Sequence, residues 1–285
     1  MSHIALQHVI VRMLYDPAFV QRVYADPHVA TADCDVCDDE RAWLVRADRR
    51  AWSVDPYRRA RSLTGLLEEY PVTCARLVRA LGSDAAGARL DSYFSSERFH
   101  RDVQDGATLA ESFGDWLASD EATVGTDAAT VLAEHPIERG IVGARRGFER
   151  RGPEAAGEGA WVLAPGVEIV FAVEGAVVSF ANVLGTLRGH PSGLPEAVLD
   201  EGLTLPDPAR SDARDGVLVL GHTGDVGLEA VSPELATVLD GCRMPVDFDA
   251  LCRHAGAVGA TPDDVRGIVD SFAGDGVLHA VGADA

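Results

Sequence analysis

Thr261-Pro-Asp-Asp-Val-Arg-Gly-Ile-Val-Asp-Ser-Phe272 has the pattern of a capped amphipathic helix. Threonine is a preferred N-cap residue, and proline is favoured in the first helical turn. Val265, Ile268, Val269 and Phe272 follow at positions i, i+3, i+4 and i+7, which is the spacing of one helix face. The segment therefore predicts a short helix that packs its apolar face against a core.

Two similar helix starts precede this segment. Ser232-Pro-Glu234 begins one predicted helix, and Asp247 caps another. Short runs rich in Val, Ile, Phe and Trp come before them and predict β-strands. These runs are 161–163, 167–173, 176–180, 217–220 and 226–231. Strands followed by three short capped helices predict a winged helix-turn-helix domain over residues 158–285.

The first half of the chain has helical periodicity throughout. Three Asp-Pro pairs, at Asp16, Asp26 and Asp55, predict helix boundaries, and apolar residues recur at helical spacing between them. Residues 150–159 contain three glycines and no periodicity, so they predict a linker. Residues 189–216 are rich in Pro, Gly and Asp and predict a long connection. The fold class is thus α+β, with an all-helical bundle over 1–152 before the winged helix.

The charge distribution excludes several classes of partner. The chain of 285 residues has 25 basic residues, all of them Arg, and 45 acidic residues, for a net charge of −20. Residues 153–285 hold 6 Arg against 21 Asp or Glu. This balance disfavours nucleic acid and anionic membranes, because both are bound through basic side chains. The sequence has no apparent signal or membrane span, so we predict a cytoplasmic protein with five reduced cysteines.

No catalytic motif is apparent in the sequence. Cys34-Asp-Val-Cys37 has a spacing that suits zinc, but no second pair completes a four-ligand set, and the acidic residues around it are typical of a helix start. The nine histidines are scattered. The alternative function of a metal-dependent enzyme requires that these His and Cys residues converge in the fold.

The C-terminal half resembles the PqqD-like recognition element of peptide natural-product pathways. The residues that carry this resemblance are Val217-Leu-Val-Leu-Gly221, Val226-Gly-Leu-Glu-Ala-Val-Ser-Pro-Glu-Leu-Ala236, Leu239-Asp-Gly241, Phe248-Asp-Ala-Leu251, Val265-Arg-Gly-Ile-Val269 and Asp275-Gly-Val-Leu278. In that family the module binds the leader segment of a ribosomally made precursor peptide.

The N-terminal half looks like the helical domain of partner proteins that accompany multinuclear non-haem iron oxidative enzymes (MNIOs). The matching residues are Tyr57-Arg-Arg-Ala-Arg-Ser-Leu63, Glu69-Tyr-Pro71, Arg76-Leu-Val78, Tyr93-Phe94, Phe99-His100, Phe113-Gly-Asp-Trp-Leu117, Glu138-Arg139 and Ala144-Arg-Arg146. The resemblance implies a non-catalytic subunit that forms a heterodimer with the oxidase and recruits the precursor leader in the biosynthesis of a ribosomally synthesised, post-translationally modified peptide (RiPP). It implies no cofactor in this chain, since the iron would belong to the partner enzyme.

An edge strand and the third helix are the expected peptide-binding elements, because a winged helix can take a peptide as an added strand. The expected peptide-binding residues are Val226, Leu228, Ala230, Val265, Arg266, Val269 and Asp270. The acidic module further predicts a leader with basic residues. A metal-dependent enzyme and a winged-helix regulator or scaffold are the alternative functions.

Overall fold

The computed structural model describes residues 3–150, 160–222 and 225–281, and it has helices in the N-terminal half and two small antiparallel sheets after residue 160. The predicted α+β class is confirmed. The predicted linker lies outside the described residues, apart from Arg150. The chain forms two compact units, one comprising Met1–Thr126 with Leu194–Glu201 and the other Asp127–Gly193 with Gly202–Ala285. No helix in the part of the chain that the structure describes is long and apolar enough to cross a membrane.

The helices of the N-terminal half have the following bounds. They are α1 (His3–Tyr15), α2 (Pro17–Ala25), α3 (Pro27–Ala30), α4 (Asp38–Arg46), α5 (Arg58–Glu69), α6 (Pro71–Leu81), α7 (Ser83–Ser92), α8 (Glu97–Gln104), α9 (Leu109–Leu117), α10 (Asp120–Thr123), α11 (Ala128–Val131) and α12 (His135–Arg150). Short 3₁₀ helices lie at Arg49–Ser53 and Tyr93–Ser95.

Side-chain caps fix the helix starts of the first unit, and aromatic side chains form much of its core. Asp16 Oδ1 accepts hydrogen bonds from the amides of Ala18 (2.9 Å) and Phe19 (3.0 Å), so α2 begins where the Asp-Pro pair predicted. The core between the later helices is largely aromatic, with rings 5.0–5.8 Å apart in edge-on and stacked pairs. Its fully buried members are Tyr70, Tyr93, Phe94, Phe99, Phe113 and Trp116.

A helix from the second half of the chain completes this first unit. Helix α14 (Leu194–Leu199) packs on α6 and α5. Ala197 and Val198 are fully buried, and Arg79 Nη1 donates to the Val198 carbonyl at 2.9 Å. The predicted connection at 189–216 therefore contains a helix that packs in the first unit. The sequence did not predict this helix, because the residues around it are rich in Pro and Gly.

The second unit contains both sheets. Its strands are β1 (Ala160–Leu163), β2 (Val167–Val173), β3 (Arg214–His222), β4 (Asp225–Val231), β5 (Val246–Asp247) and β6 (Leu278–Val281). The sheet orders are β2-β3-β4 and β5-β1-β6, and every pairing is antiparallel. Strands β3 and β4 form the predicted hairpin with His222 opposite Asp225, and its two turn residues lie outside the described residues.

The sheet β2-β3-β4 is covered on both faces. On one face lies α12, where a Cβ added to Gly140 would be 2.9 Å from methyl groups of Val170 and Val219. On the other face lies α15 (Pro233–Asp240), whose Ala236 sits against Gly216. Thus α12 belongs to the second unit, although it falls within the helical region predicted over 1–152.

The three predicted C-terminal helices are confirmed as α15, α16 (Phe248–Gly256) and α17 (Pro262–Gly274). Ser232 Oγ, Asp247 Oδ1 and Thr261 Oγ1 each accept a hydrogen bond from an amide in the first turn that follows. The three helices share a core with β1, β2, β3 and β6.

The strand predicted at 176–180 is wrong, because these residues begin helix α13 (Ala176–Arg188). Gly175 adopts a left-handed conformation (φ 81°) that ends the preceding turn. The buried residues of α13 recur at helical spacing. Val178 is exposed, and its apolar side chain made residues 176–180 look like a continuous apolar strand. The buried residues are Ala176, Ser179, Phe180, Val183 and Leu187.

Candidate functional site

Strand β4 lies at the edge of its sheet. It pairs with β3 through seven residues and has no other strand beside it in the described part of the chain. Alternate residues of an edge strand direct N–H and C=O groups away from the sheet, where another strand can bind them. Helix α13 also contacts β4, so part of the strand's surroundings is helical. The edge is the feature of this unit most suited to binding an extended peptide.

The three predicted residues of β4 share one face of the sheet. Val226, Leu228 and Ala230 pair with Gly221, Val219 and Val217, respectively, of β3. Since Val219 faces α12 and paired residues point to the same side, these three side chains lie on the α12 face. Val226 and Leu228 are half-buried, and Ala230 is exposed.

The four predicted residues of α17 are divided between core and surface. Val265 and Val269 are buried in the core shared by the C-terminal helices. Arg266 and Asp270 are exposed, and the Arg266 guanidinium lies 5.4 Å from the ring centroid of Phe248. Arg266 also forms an exposed ion pair with Asp263 at 3.4 Å. Only the two charged residues of this group are therefore accessible to a ligand in the present conformation.

The seven predicted residues do not form a single lined groove. The β4 side chains and the buried valines of α17 lie on opposite faces of the sheet, because the core of α17 includes Leu218 and Leu218 alternates with Val219 along β3. Glu229 is opposite Leu218, so it lies on the face of the sheet that α15 covers, and it is exposed. Glu229 is not among the peptide-binding residues predicted from the sequence. The period-2 alternation of a strand could have assigned it to the opposite face from Leu228.

The C-terminal part of the second unit, which begins with strand β4, is acidic. Residues 225–281 contain ten Asp or Glu residues and three Arg. Hydrogen bonds from the Thr261 side chain and backbone lower the pKa of Asp264, so this carboxylate stays ionised at neutral pH. A cationic peptide is consequently a better electrostatic match for this part of the chain than an acidic one.

Arg243 links the sheet to the C-terminal helices. Its Nη1 donates to Glu168 of β2 at 2.6 Å, and its Nη2 donates to the Ile169 carbonyl. Partial burial would lower the pKa of Arg243, but the ion pairs with Asp240 and Glu168 raise it overall. This arginine therefore stabilises the sheet and is not available to a ligand.

The cysteine pair lies at a helix start. Cys37 precedes α4, and its amide donates to Glu40 Oε2 at 2.8 Å, as expected for a capped helix. Burial, together with Asp33, raises the pKa of Cys34 to about 11, which disfavours the thiolate that metal binding requires. Within the described residues no group of three or more His, Cys, Asp or Glu side chains could hold a metal ion.

A buried histidine lies elsewhere in the first unit. His100 and Asp16 are each about 5% exposed, and His100 Nε2 lies 3.7 Å from Asp16 Oδ2. Burial lowers the pKa of His100, and Asp16 offsets only part of this effect. The neutral imidazole is enclosed by the packed helices, so we assign it a structural role.

Neither the protein-family models nor the curated proteins include a match to this chain.

Proposed function

We propose that this protein is the accessory subunit of a multinuclear non-haem iron oxidase and that its second unit captures the leader of a ribosomally made precursor peptide. In this proposal β2-β3-β4 and α15–α17 form a PqqD-like winged helix. The observation that carries the proposal is the edge strand β4, whose sheet packs against the capped helix α15 and shares a hydrophobic core with α16 and α17. The proposal takes β3, β4 and the three helices after them as the recognition element and treats α13 and α14, which lie between β2 and β3, as additions to it.

The leader adds to β4 as a further antiparallel strand. Its main chain binds the outward N–H and C=O groups of β4, and alternate side chains point to the two faces of the sheet. On the face that α15 covers, the leader side chains lie beside Glu229. On the face that α12 covers, they lie beside Leu228 and Ala230. Basic leader residues pair with Glu229, and the acidic charge of residues 225–281 attracts them.

The proposed role assigns no reaction to this chain. The first unit contacts the oxidase, which holds the iron, and the chain increases the local concentration of the peptide at that enzyme. The resemblance to MNIO partner proteins supports this division of labour, since most of the residues that carry it, within 57–117, belong to the first unit. The acidic balance of the second unit disfavours the nucleic-acid regulator.

Backbone methylation of the peptide tests the strand-addition step without altering the protein. The probe is the leader half of the precursor peptide that the proposal expects a neighbouring gene to encode, made with single N-methyl groups at successive positions. Methyl groups on amides that face β4 should abolish binding, whereas those on the alternate amides should be tolerated. Uniform tolerance along the peptide would contradict strand addition.

A charge reversal tests the assigned face. Glu229→Lys should weaken binding of a basic leader by about 1–2 kcal/mol, roughly tenfold, because it replaces an attraction by a repulsion. Glu68→Lys makes the same charge change at an exposed position of α5 and serves as the matched control. Equal effects of the two variants would show that only the net charge matters.

Co-expression with the adjacent candidate oxidase tests the partner role. A one-to-one complex with iron confined to the oxidase subunit is expected after co-purification and metal analysis of each chain. If this chain purifies alone with stoichiometric metal, the accessory role is wrong and the metal-dependent alternative takes its place.

A further inference from the structure

A second surface, in the first unit, has the opposite charge to the rest of the protein. A cleft of about 540 Å³ lies between α1, α2, the 3₁₀ helix Arg49–Ser53 and the start of α5. Its wall includes Tyr15, Pro17, Trp52 and four arginines, namely Arg49, Arg50, Arg58 and Arg59. All of these residues belong to the same compact unit.

The chain around this cleft is basic. Residues 46–61 contain six arginines and two aspartates, a local charge of +4 in a protein of net charge −20. The protein does not need this concentration of positive charge to be soluble, because its acidic surface elsewhere already keeps it soluble. The local reversal of charge therefore indicates a ligand of negative charge.

The arginines of the cleft have different tasks. Arg58 Nη1 donates to the Leu14 carbonyl at 3.1 Å, and Arg59 pairs with Asp91 at 3.0 Å, so both hold neighbouring helices together. Arg49 and Arg50 are exposed, and neither guanidinium has an ion pair with a described residue. These two side chains are accessible to a ligand.

The apolar wall of the cleft is held in place by hydrogen bonds. Trp52 is half-buried, and its Nε1 donates to the Tyr24 hydroxyl at 3.0 Å. The Tyr24 hydroxyl in turn donates to the Ala47 carbonyl. A fixed indole beside two available guanidinium groups provides both an apolar contact and charge recognition.

We propose that this arginine cleft binds an acidic, extended segment of a partner protein. The planar guanidinium groups of Arg49 and Arg50 bind carboxylates in a bidentate manner. An apolar side chain between the carboxylates packs against Trp52 and Pro17.

The observations favour a peptide over nucleic acid. Asp48 and Asp55 also line the cleft, and they would repel a regular row of phosphates. A peptide can avoid them, because its carboxylates alternate with neutral residues.

This proposal uses other residues than leader capture at β4 and does not depend on it. Loss of leader binding in a β4 variant leaves the arginine cleft intact, and the reverse also holds. The two proposals therefore fail independently.

The test is fluorescence anisotropy with the full chain and a labelled synthetic peptide. The probe is a 12-residue peptide of Glu and Ser with a central Leu-Phe pair, and the comparison peptide has Gln in place of every Glu. The acidic peptide should bind, its affinity should fall as salt is raised, and the neutral peptide should bind at least about tenfold more weakly. Equal binding of the two peptides would overturn the proposal.

Paired variants locate the binding. Arg49→Gln/Arg50→Gln should weaken the acidic peptide about tenfold, whereas Arg188→Gln/Arg253→Gln, which removes two exposed arginines of the second unit, should leave it within about twofold. Similar losses in both variants, or no binding by the parent protein, would refute the cleft as the site. Displacement of the peptide by an equimolar single-stranded DNA 12-mer would show that phosphate is the preferred ligand and would also overturn the proposal.

Discussion

Gly216 provides a sharp test of how the sheet packs on its helices. A Cβ built on Gly216 lies 2.2 Å from the Cβ of Ala236, 3.0 Å from Val231 Cγ2 and 3.1 Å from the Ser232 carbonyl oxygen. Carbon atoms in favourable contact are about 3.5–4.0 Å apart, so Gly216→Ala forces β3 and α15 to separate by more than about 1 Å. Overpacking of this kind costs about 1–3 kcal/mol.

Hydrogen exchange can measure this cost locally. In Gly216→Ala the amides of β3 and α15 should exchange roughly 5- to 150-fold faster, which corresponds to 1–3 kcal/mol. Gly227→Ala is the matched control, since its new Cβ is 3.6 Å from the nearest atom, Leu220 Cβ, and it should change the stability by less than about 0.5 kcal/mol.

A second substitution tests the cause. Ala236→Gly removes the atom that the new methyl group meets, so the double variant should be more stable than the sum of the two single effects predicts. Additive losses, or a Gly216→Ala variant as protected as Gly227→Ala, would refute the described contact between β3 and α15.

Three further predictions concern other parts of the molecule. Val269→Ala should destabilise the second unit by about 1–3 kcal/mol because it empties part of the core, whereas Asp270→Ala should have little effect, and urea denaturation would compare them. The pKa of His100 is lowered from 6.5 by burial, so the stability that its neutral form provides is present above pH 6.5 and is lost as the pH falls towards the lowered pKa; His100→Gln should flatten this part of a stability profile. Iodoacetamide at pH 8 should modify the exposed Cys37 before Cys34 and Cys242, whose pKa values burial raises to about 11, and peptide mass spectrometry would give the order.

Local signals predicted much of the fold. Ser232, Asp247 and Thr261 cap helices as their sequence context indicated, because capping depends on residues within one turn. The strands at 161–163, 167–173, 217–220 and 226–231 were predicted for a similar reason, since each is a short apolar run that contains β-branched residues.

Long-range packing was not predictable from these signals. Residues 176–180 have strand-like composition but belong to a helix, since Phe180, Val183 and Leu187 bury one helical face. Helix α12 packs on a sheet formed mainly from residues after 160, and its Gly140 permits that close contact. Neither feature has a local sequence signature.

The candidate site was only partly accessible from the sequence. The strand that became the edge was identified, but periodicity does not reveal which face of a strand meets which helix. Leu228 and Val269 therefore appeared to be neighbours, whereas the register assigns them to opposite sides of the sheet. Glu229 emerged only once that register was known.

Hydrogen exchange of β4 in the presence of the leader peptide tests the central claim most directly. The full chain is compared with and without the leader half of the precursor that the proposal expects a neighbouring gene to encode, at a peptide concentration that saturates binding. The account predicts that the outward-facing amides of β4 become protected, since they gain main-chain partners, while protection in α4 and α5 is unchanged. Saturating binding without any new protection in β4 would contradict peptide capture at this edge.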